Sequence, residues 1–329
     1  MTPLERFRSL ALPTDGSAFR LGGEVCRGCS LAVAADGSLS LLIAVVPTGT
    51  STARHLENLR YDPPSELEVF SSHGRRREIL ASLVCRTSDE ALQTAFLRIG
   101  TALLDTSATK LTEAELEDRL DDLVALFRAL GRPANQTIQG LWAELAIVAW
   151  ATNPRVALAS WHSSPRALHD FASGPDRLEV KSTSTGLREH ALRLEQLGEA
   201  PGGRTFLASI MVQETEDGTS VEDLCALVLA RVEADIELRR RLETIVTQSL
   251  GRDWREAATR RFDVVQARGS LRFYEAERVP CVAQPLPPEV KHVSFVVDLS
   301  TTDGSSHGDV RRVSSFFAAT IPRDPPEDR

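Results

Sequence analysis

Between Ile138 and Ala151 the chain is almost entirely apolar or small, and Trp142 and Trp150 lie within the run. Glu144 is the single charged side chain from Gly140 to Ala151. A helix that is apolar on every side is buried, so this segment sets the centre of whatever core the chain builds. An unpaired buried carboxylate is very costly. Glu144 therefore holds a proton, pairs with a base at the rim of the core, or faces a metal site.

A second stretch narrows those choices. His169 to Thr183 reads as two short strands joined by a tight turn at Gly174-Pro175, where glycine supplies positive φ and proline fixes φ. Side chains alternate along a strand, so Glu179 and Lys181 share one face while Leu178 and Val180 take the other. A symmetric hairpin pairs Ser173 with Asp176, and three steps back it sets Asp170 opposite Glu179. Directly opposed residues have Cβ atoms roughly 4.5–5.5 Å apart. Two carboxylates at that spacing repel unless a cation lies between them.

Acidic oxygens suit Mg²⁺ or Mn²⁺, which take few protein carboxylates and keep several waters. Lys181, on the same face as Glu179, is placed to orient or deprotonate a water or to steady phosphate charge. Lysine is scarce here, with Lys110, Lys181 and Lys291 the only examples, and unlike arginine it loses its proton readily when buried. A hard cation, an amine and a water are the parts of metal-assisted phosphodiester hydrolysis. The hydroxyls of Ser182 and Thr183 follow as weaker candidates for phosphate contact. The literal Pro175-Asp176 pair lies inside the turn, three positions before Glu179, and reads as ordinary turn chemistry.

These residues carry a resemblance to the PD-(D/E)XK nuclease superfamily, which includes many restriction endonucleases. The specific resemblance is to a bacterial family of that superfamily with a G-L-x-x-E-L helix, then H-D-F, then E-V-K-S/T. Here these are Gly140-Leu141-Trp142-Ala143-Glu144-Leu145, His169-Asp170-Phe171 and Glu179-Val180-Lys181-Ser182-Thr183. The likeness covers mainly residues 138–197. It implies an α+β fold: a restriction-endonuclease-like core with a central mixed sheet flanked by helices. It further implies Mg²⁺-dependent (or Mn²⁺-dependent) hydrolysis of DNA, leaving 5′-phosphate and 3′-hydroxyl ends, in a restriction or phage-defence setting. Asp170, Glu179 and the Val180 carbonyl would hold the metal, Glu144 would bind it directly or through water, and Lys181 would position the attacking water. A glutamine-leucine pair recurs in the family at the place of Gln196-Leu197, which makes Gln196 a candidate contact for DNA or a site water.

At 329 residues the chain has room for two domains or one large one. Its 42% hydrophobic and 26% charged content is that of a globular protein. No apolar run reaches bilayer length and no signal-peptide pattern opens the chain. Five scattered cysteines make no disulfide framework, so a cytoplasmic setting is expected. Cys26-Arg27-Gly28-Cys29 lacks a second pair and reads as an incidental reduced pair rather than a zinc site. A net charge of −8 argues against broad nonspecific binding to nucleic acid. The arginine runs 75–77, 239–241 and 260–261 read as solvated surfaces sooner than as DNA contacts.

Taken in order, residues 1–108 form a β-rich N-terminal module with a linking helix, and 109–329 the nuclease-like domain. Strands are expected at Ser30–Ala34, Ser38–Val46, Glu66–Phe70 and Glu78–Cys85, separated by glycine turns. Capping boxes at Thr87–Glu90 and Thr112–Glu115 open two helices, the second stopping at Gly131. Asn153-Pro154 is expected to end the greasy helix, with Val156–Trp161 as the first core strand. His162 and His169 read as structural rather than catalytic. Further strands are expected near His190–Leu194, Thr205–Gln213, Arg272–Val282 and His292–Leu299, with helices at Val221–Ala234 and Glu237–Leu250. The proline-rich tail from Pro322 reads as disordered. No Walker A, G-x-G-x-x-G, H-E-x-x-H or G-x-S-x-G motif occurs. DNA, a second copy of the chain and other subunits of a defence system are the expected partners. The competing expectation is a catalytically silent subunit that keeps the nuclease fold to bind DNA or to assemble a complex.

Overall fold

The computed structural model describes residues 1–13, 18–49, 51–71, 74–107, 110–162, 167–198, 202–232, 235–283 and 285–323. The Ser163-Ser164-Pro165 segment and the tail beyond Arg323 lie outside the described residues. Two compact units form, Met1–Arg128 and Ala129–Arg329.

The first unit comprises α1 (Pro3–Arg8), β1 (Ala18–Cys26), β2 (Cys29–Ala34), β3 (Leu39–Val46), β4 (Arg54–His55), β5 (Leu59–Ser71), β6 (Gly74–Cys85), α2 (Glu90–Leu104), β7 (Leu111–Thr112) and α3 (Glu113–Ala129). Strands pair in the order β1-β2-β3-β6-β5, and β5 returns in parallel to β1, so the sheet closes on itself. Closure removes the free edges that a small open sheet would expose. The β5–β6 ladder skips between Asp62 and Ser65, where Pro63 and Pro64 have no N–H to donate. The division between units falls later than the expected 108/109 boundary. Leu111–Thr112 pairs with β3, and the Glu113 carboxylate accepts hydrogen bonds from Thr48, Gly49 and Ser51, which ties the start of α3 to the first unit.

The second unit comprises α4 (Ile138–Trp150), α5 (Pro154–Ser160), β8 (Phe171–Ser173), β9 (Asp176–Thr183), β10 (Glu189–Arg193), β11 (Thr205–Met211), β12 (Glu214–Thr219), α6 (Val221–Val232), α7 (Ile236–Leu250), α8 (Trp254–Ala257), α9 (Val264–Ser270), β13 (Arg272–Glu275), β14 (Ser294–Asp298), α10 (His307–Val313) and α11 (Ser315–Thr320). Its central sheet runs β13-β11-β9-β8, with β9 and β11 parallel and the outer pairings antiparallel. This is the mixed sheet of the expected α+β class. Leu178, Val180, Phe206, Ala208 and Ile210 turn one face of it into a core shared with α4 and α6. Leu207 and Tyr274 face the other way, under the two-stranded β10–β14 ribbon. Glu179 pairs with Leu207 and Lys181 with Ser209, so the acid and the amine belong to that second face.

Two expectations are corrected. Val156–Trp161 is not a core strand: Pro154–Ser160 is helical, and only Trp161 bridges Phe171. Asn153 caps this helix through Arg155 N, and Pro154 occupies its first turn, where a missing N–H costs nothing. The Asn-Pro pair thus starts a helix as well as following one. The late strand from Arg272 stops at Glu275 and passes into a 3₁₀ turn, Ala276–Arg278. Among the described residues no helix is long and apolar enough to cross a membrane.

Candidate active site

The hairpin folds in the expected register, with Ser173 opposite Asp176, Ala172 opposite Arg177 and Phe171 opposite Leu178. One step further, β8 ends and the Asp170 carboxylate replaces main chain: Val180 N donates to Asp170 Oδ2 at 2.7 Å. Asp170 is thereby fixed beside Glu179. Its other oxygen makes no hydrogen bond among the described residues. Burial, then Glu144, then Glu179, push the Asp170 carboxyl well above the usual carboxylate range, against the Val180 N–H and the charge of Lys181.

Glu144 enters from the greasy helix and is only 8% exposed. Trp161 Nε1 donates to its Oε2 at 2.8 Å. Burial is the largest influence on its acidity, and with Glu179 nearby it raises the pKa to about 7, opposed by the Trp161 hydrogen bond, Lys181 and Gln136. Glu179 is 3% exposed. Its Oε1 accepts from Lys181 Nζ at 2.8 Å and from Gln196 Nε2, whereas its Oε2 is buried with no hydrogen-bond partner. The helix acid, the pre-strand acid and the β9 pair thus act electrostatically on one another, and all four line one cleft of about 570 Å³.

Gln196 is held on three sides. Its Oε1 accepts from Arg193 N at 2.9 Å, and its Nε2 donates to Leu168 O at 3.2 Å as well as to Glu179. His169 Nε2 donates to the Gln196 carbonyl at 3.1 Å, and burial lowers the pKa of that imidazole. Ser182 lines the cleft and accepts from Gln139 Nε2 at 3.2 Å. Thr183 is buried and hydrogen-bonds Thr185 at 3.1 Å, which turns its hydroxyl to the strand exit. Asp176, of the literal Pro-Asp pair, accepts from Arg204 N at 3.0 Å and fastens the hairpin turn to the start of β11. Gln136, Gln139 and Trp161 were not legible as site residues. The indole of Trp161 finds Glu144 only because α5 turns the chain back.

The charge runs are committed elsewhere. Arg75, Arg76 and Arg77 pair with Glu68, Glu78 and Glu66 along the β5–β6 ladder. Arg240 pairs with Glu237, and Arg241 donates to the Leu158 and Trp161 carbonyls. Arg260 pairs with Glu214 and Arg261 with Asp223.

The donor set can be tested against a hard cation. Among the described residues no three His, Cys, Asp or Glu side chains are assembled in ligating geometry. A set of two carboxylates and one main-chain carbonyl is smaller than that and is ordinary for Mg²⁺, which keeps much of its water. The buried, unpartnered Glu179 Oε2, beside an Asp170 whose ionisation burial and its acidic neighbours disfavour, is the arrangement a cation would relieve. The residues fit the group.

The fold and this cleft define a member of the PD-(D/E)XK class. The model of the DUF4420 family, described as "Putative PD-(D/E)XK family member", matches residues 14–300, and the chain belongs to that family. No curated protein and no solved structure matches the chain.

Proposed function

We propose that the protein is a divalent-metal-dependent deoxyribonuclease that hydrolyses phosphodiester bonds. The observation that carries this reading is the buried Glu179 oxygen without a partner, on a residue lining the same cleft as two further acids whose pKa values are raised by burial and by one another's charge. Asp170, Glu179 and the Val180 carbonyl would hold Mg²⁺ (or Mn²⁺), with Glu144 reaching it directly or through water. When bound, the ion supplies Lewis acidity toward a phosphoryl oxygen and an activated water. Lys181, one hydrogen bond from Glu179, orients that water and offsets charge developing on the phosphate. Gln196 keeps Glu179 in place, and Ser182 offers a hydroxyl to the phosphate chain. Thr183, turned toward Thr185, has the weaker claim to a substrate contact. A restriction or phage-defence role and a cytoplasmic setting belong to the same reading, the latter supported by five free cysteines.

The test is cleavage of single- and double-stranded DNA in Mg²⁺ and in Mn²⁺. Wild type is expected to cut, and Lys181→Ala and Asp170→Asn to lose roughly a hundredfold or more. Failure of every divalent ion and every substrate, or activity unchanged in both variants, overturns the reading.

One observation favours a second reading. The arginine runs are consumed by internal partners, and among the described residues the cleft is lined by two permanent cations, Lys181 and Arg193. If the described lining carries the cleft's charge, phosphate contact of the strength DNA binding demands would come from a second copy or from another subunit, with this chain as the silent member.

A further inference from the structure

One part of the cleft lining is built from uncharged groups. It is formed by the loop before α4, with Asn135, Gln136 and Thr137, and by the last turn of α7, with Gln248 and Ser249. These two segments are stapled together. Asn135 N donates to Ser249 O at 3.0 Å, Asn135 Nδ2 to Gln248 O at 2.8 Å, and Arg252 N to Arg132 O at 2.7 Å. Gly251 sits at φ +48°, and a Cβ there would lie 2.5 Å from Arg132 O. The close approach of loop to helix end thus depends on a glycine.

Most polar side chains on this wall are already used. Asn135 makes the staple, Thr137 accepts from Gly140 N at 3.1 Å as the α4 cap, and Gln136 acts on Glu144, favouring its charged form. Gln248 differs. It is half-buried, lines the cleft, and its side-chain amide has no hydrogen-bond partner among the described residues. A phosphate would call for a cation there. A carboxamide instead offers one donor and one acceptor side by side, the pattern that matches the edge of a base such as adenine.

We propose that Gln248, whose main chain is held by the Asn135 staple, is a specificity-determining residue that reads a nucleobase edge of the substrate. This rests on the reading of the cleft as a nuclease site. The phosphate would lie at the carboxylate end and the base against the amide wall. The main chain of the wall is preformed, so only the Gln248 side chain remains to be ordered on binding, which favours discrimination between bases.

The test uses the full-length protein and short DNA oligonucleotides with randomised bases, in a chelator so that no cutting occurs. Bound and unbound pools are sequenced for wild type and for Gln248→Leu, with thermal melting as the control for folding. Wild type is expected to enrich one base at one position, and Gln248→Leu to flatten that preference by roughly tenfold while melting normally. Gln248→Asn, with the same amide on a shorter stem, is expected to weaken the preference less. An unchanged preference in Gln248→Leu, or no preference in wild type, overturns the assignment of Gln248 and leaves the nuclease reading standing. Absence of any DNA binding by wild type overturns both.

Discussion

Glu179 has its two oxygens in unlike surroundings: one is engaged by Lys181 and Gln196, and the other is buried without a partner. A carboxylate so divided is held in orientation but left chemically unsatisfied. Gln196 is the part that holds it. Gln196→Leu would leave Glu179 held by Lys181 alone and remove the hydrogen bonds to Arg193 N and Leu168 O, at about 0.5–1.5 kcal/mol each. The expected result is a lower melting temperature together with a shift of the Mg²⁺ activation curve to higher concentration, measured by calorimetry and by metal titration of activity. Asp176 provides the contrast. Its hydrogen bond to Arg204 N is structural, so Asp176→Ala is expected to cost about 1 kcal/mol of stability and to leave divalent dependence intact. Loss of metal response in Asp176→Ala would reverse the assignment of the two aspartates.

At the scale of elements, what was legible in the sequence is what short-range physics decides. The all-apolar run of α4 and the Gly-Pro turn fixed the buried helix and the hairpin register, and with them the meeting of Glu144, Asp170, Glu179 and Lys181. Val156–Trp161 departs from the strand expectation because a short apolar run is compatible with strand or helix, and Pro154 serves as a first-turn residue rather than as a stop alone. Gln196 became interpretable only once the 3₁₀ turn Leu194–Leu197 brought it 17 residues back in sequence to Glu179. The closed sheet of the first unit, and the spending of Arg75–Arg77 on its own glutamates, depend on partners from another strand that no local pattern reveals. Tertiary support of the hairpin is equally non-local. A Cβ at Gly203 would lie 2.4 Å from Pro175 O, so the turn rests directly on the backbone entering β11. Gly203→Ala is expected to displace Pro175–Asp176 and destabilise the protein by about 1–3 kcal/mol, read as a fall in the denaturation midpoint. Because Asp170 and Glu179 sit on the same hairpin, activity should fall with it even though the substitution lies outside the cleft.

For the whole molecule, the cluster of acids makes stability depend on pH and metal together. Glu144 keeps its proton up to about pH 7 in the folded protein but releases it near 4.5 when unfolded, and Asp170 is shifted in the same direction. Between those values the folded state binds more protons than the unfolded one, so stability falls as pH rises through the window. The size of the fall is a few kcal/mol. A divalent cation competes for the same oxygens and prefers them ionised. Added Mg²⁺ is therefore expected to stabilise the protein little at pH 5 and strongly at pH 8, there by about 2.7 kcal/mol at a hundredfold excess over its dissociation constant, read as a rise in melting temperature. Glu144→Gln, which cannot ionise, should flatten the decline in the metal-free protein and weaken the Mg²⁺ response at pH 8. A metal-free protein that is more stable at pH 8 than at pH 5, with no Mg²⁺ effect at either, would mean that the three acids are ordinary buried ion-pair residues and that the cleft does not take a cation.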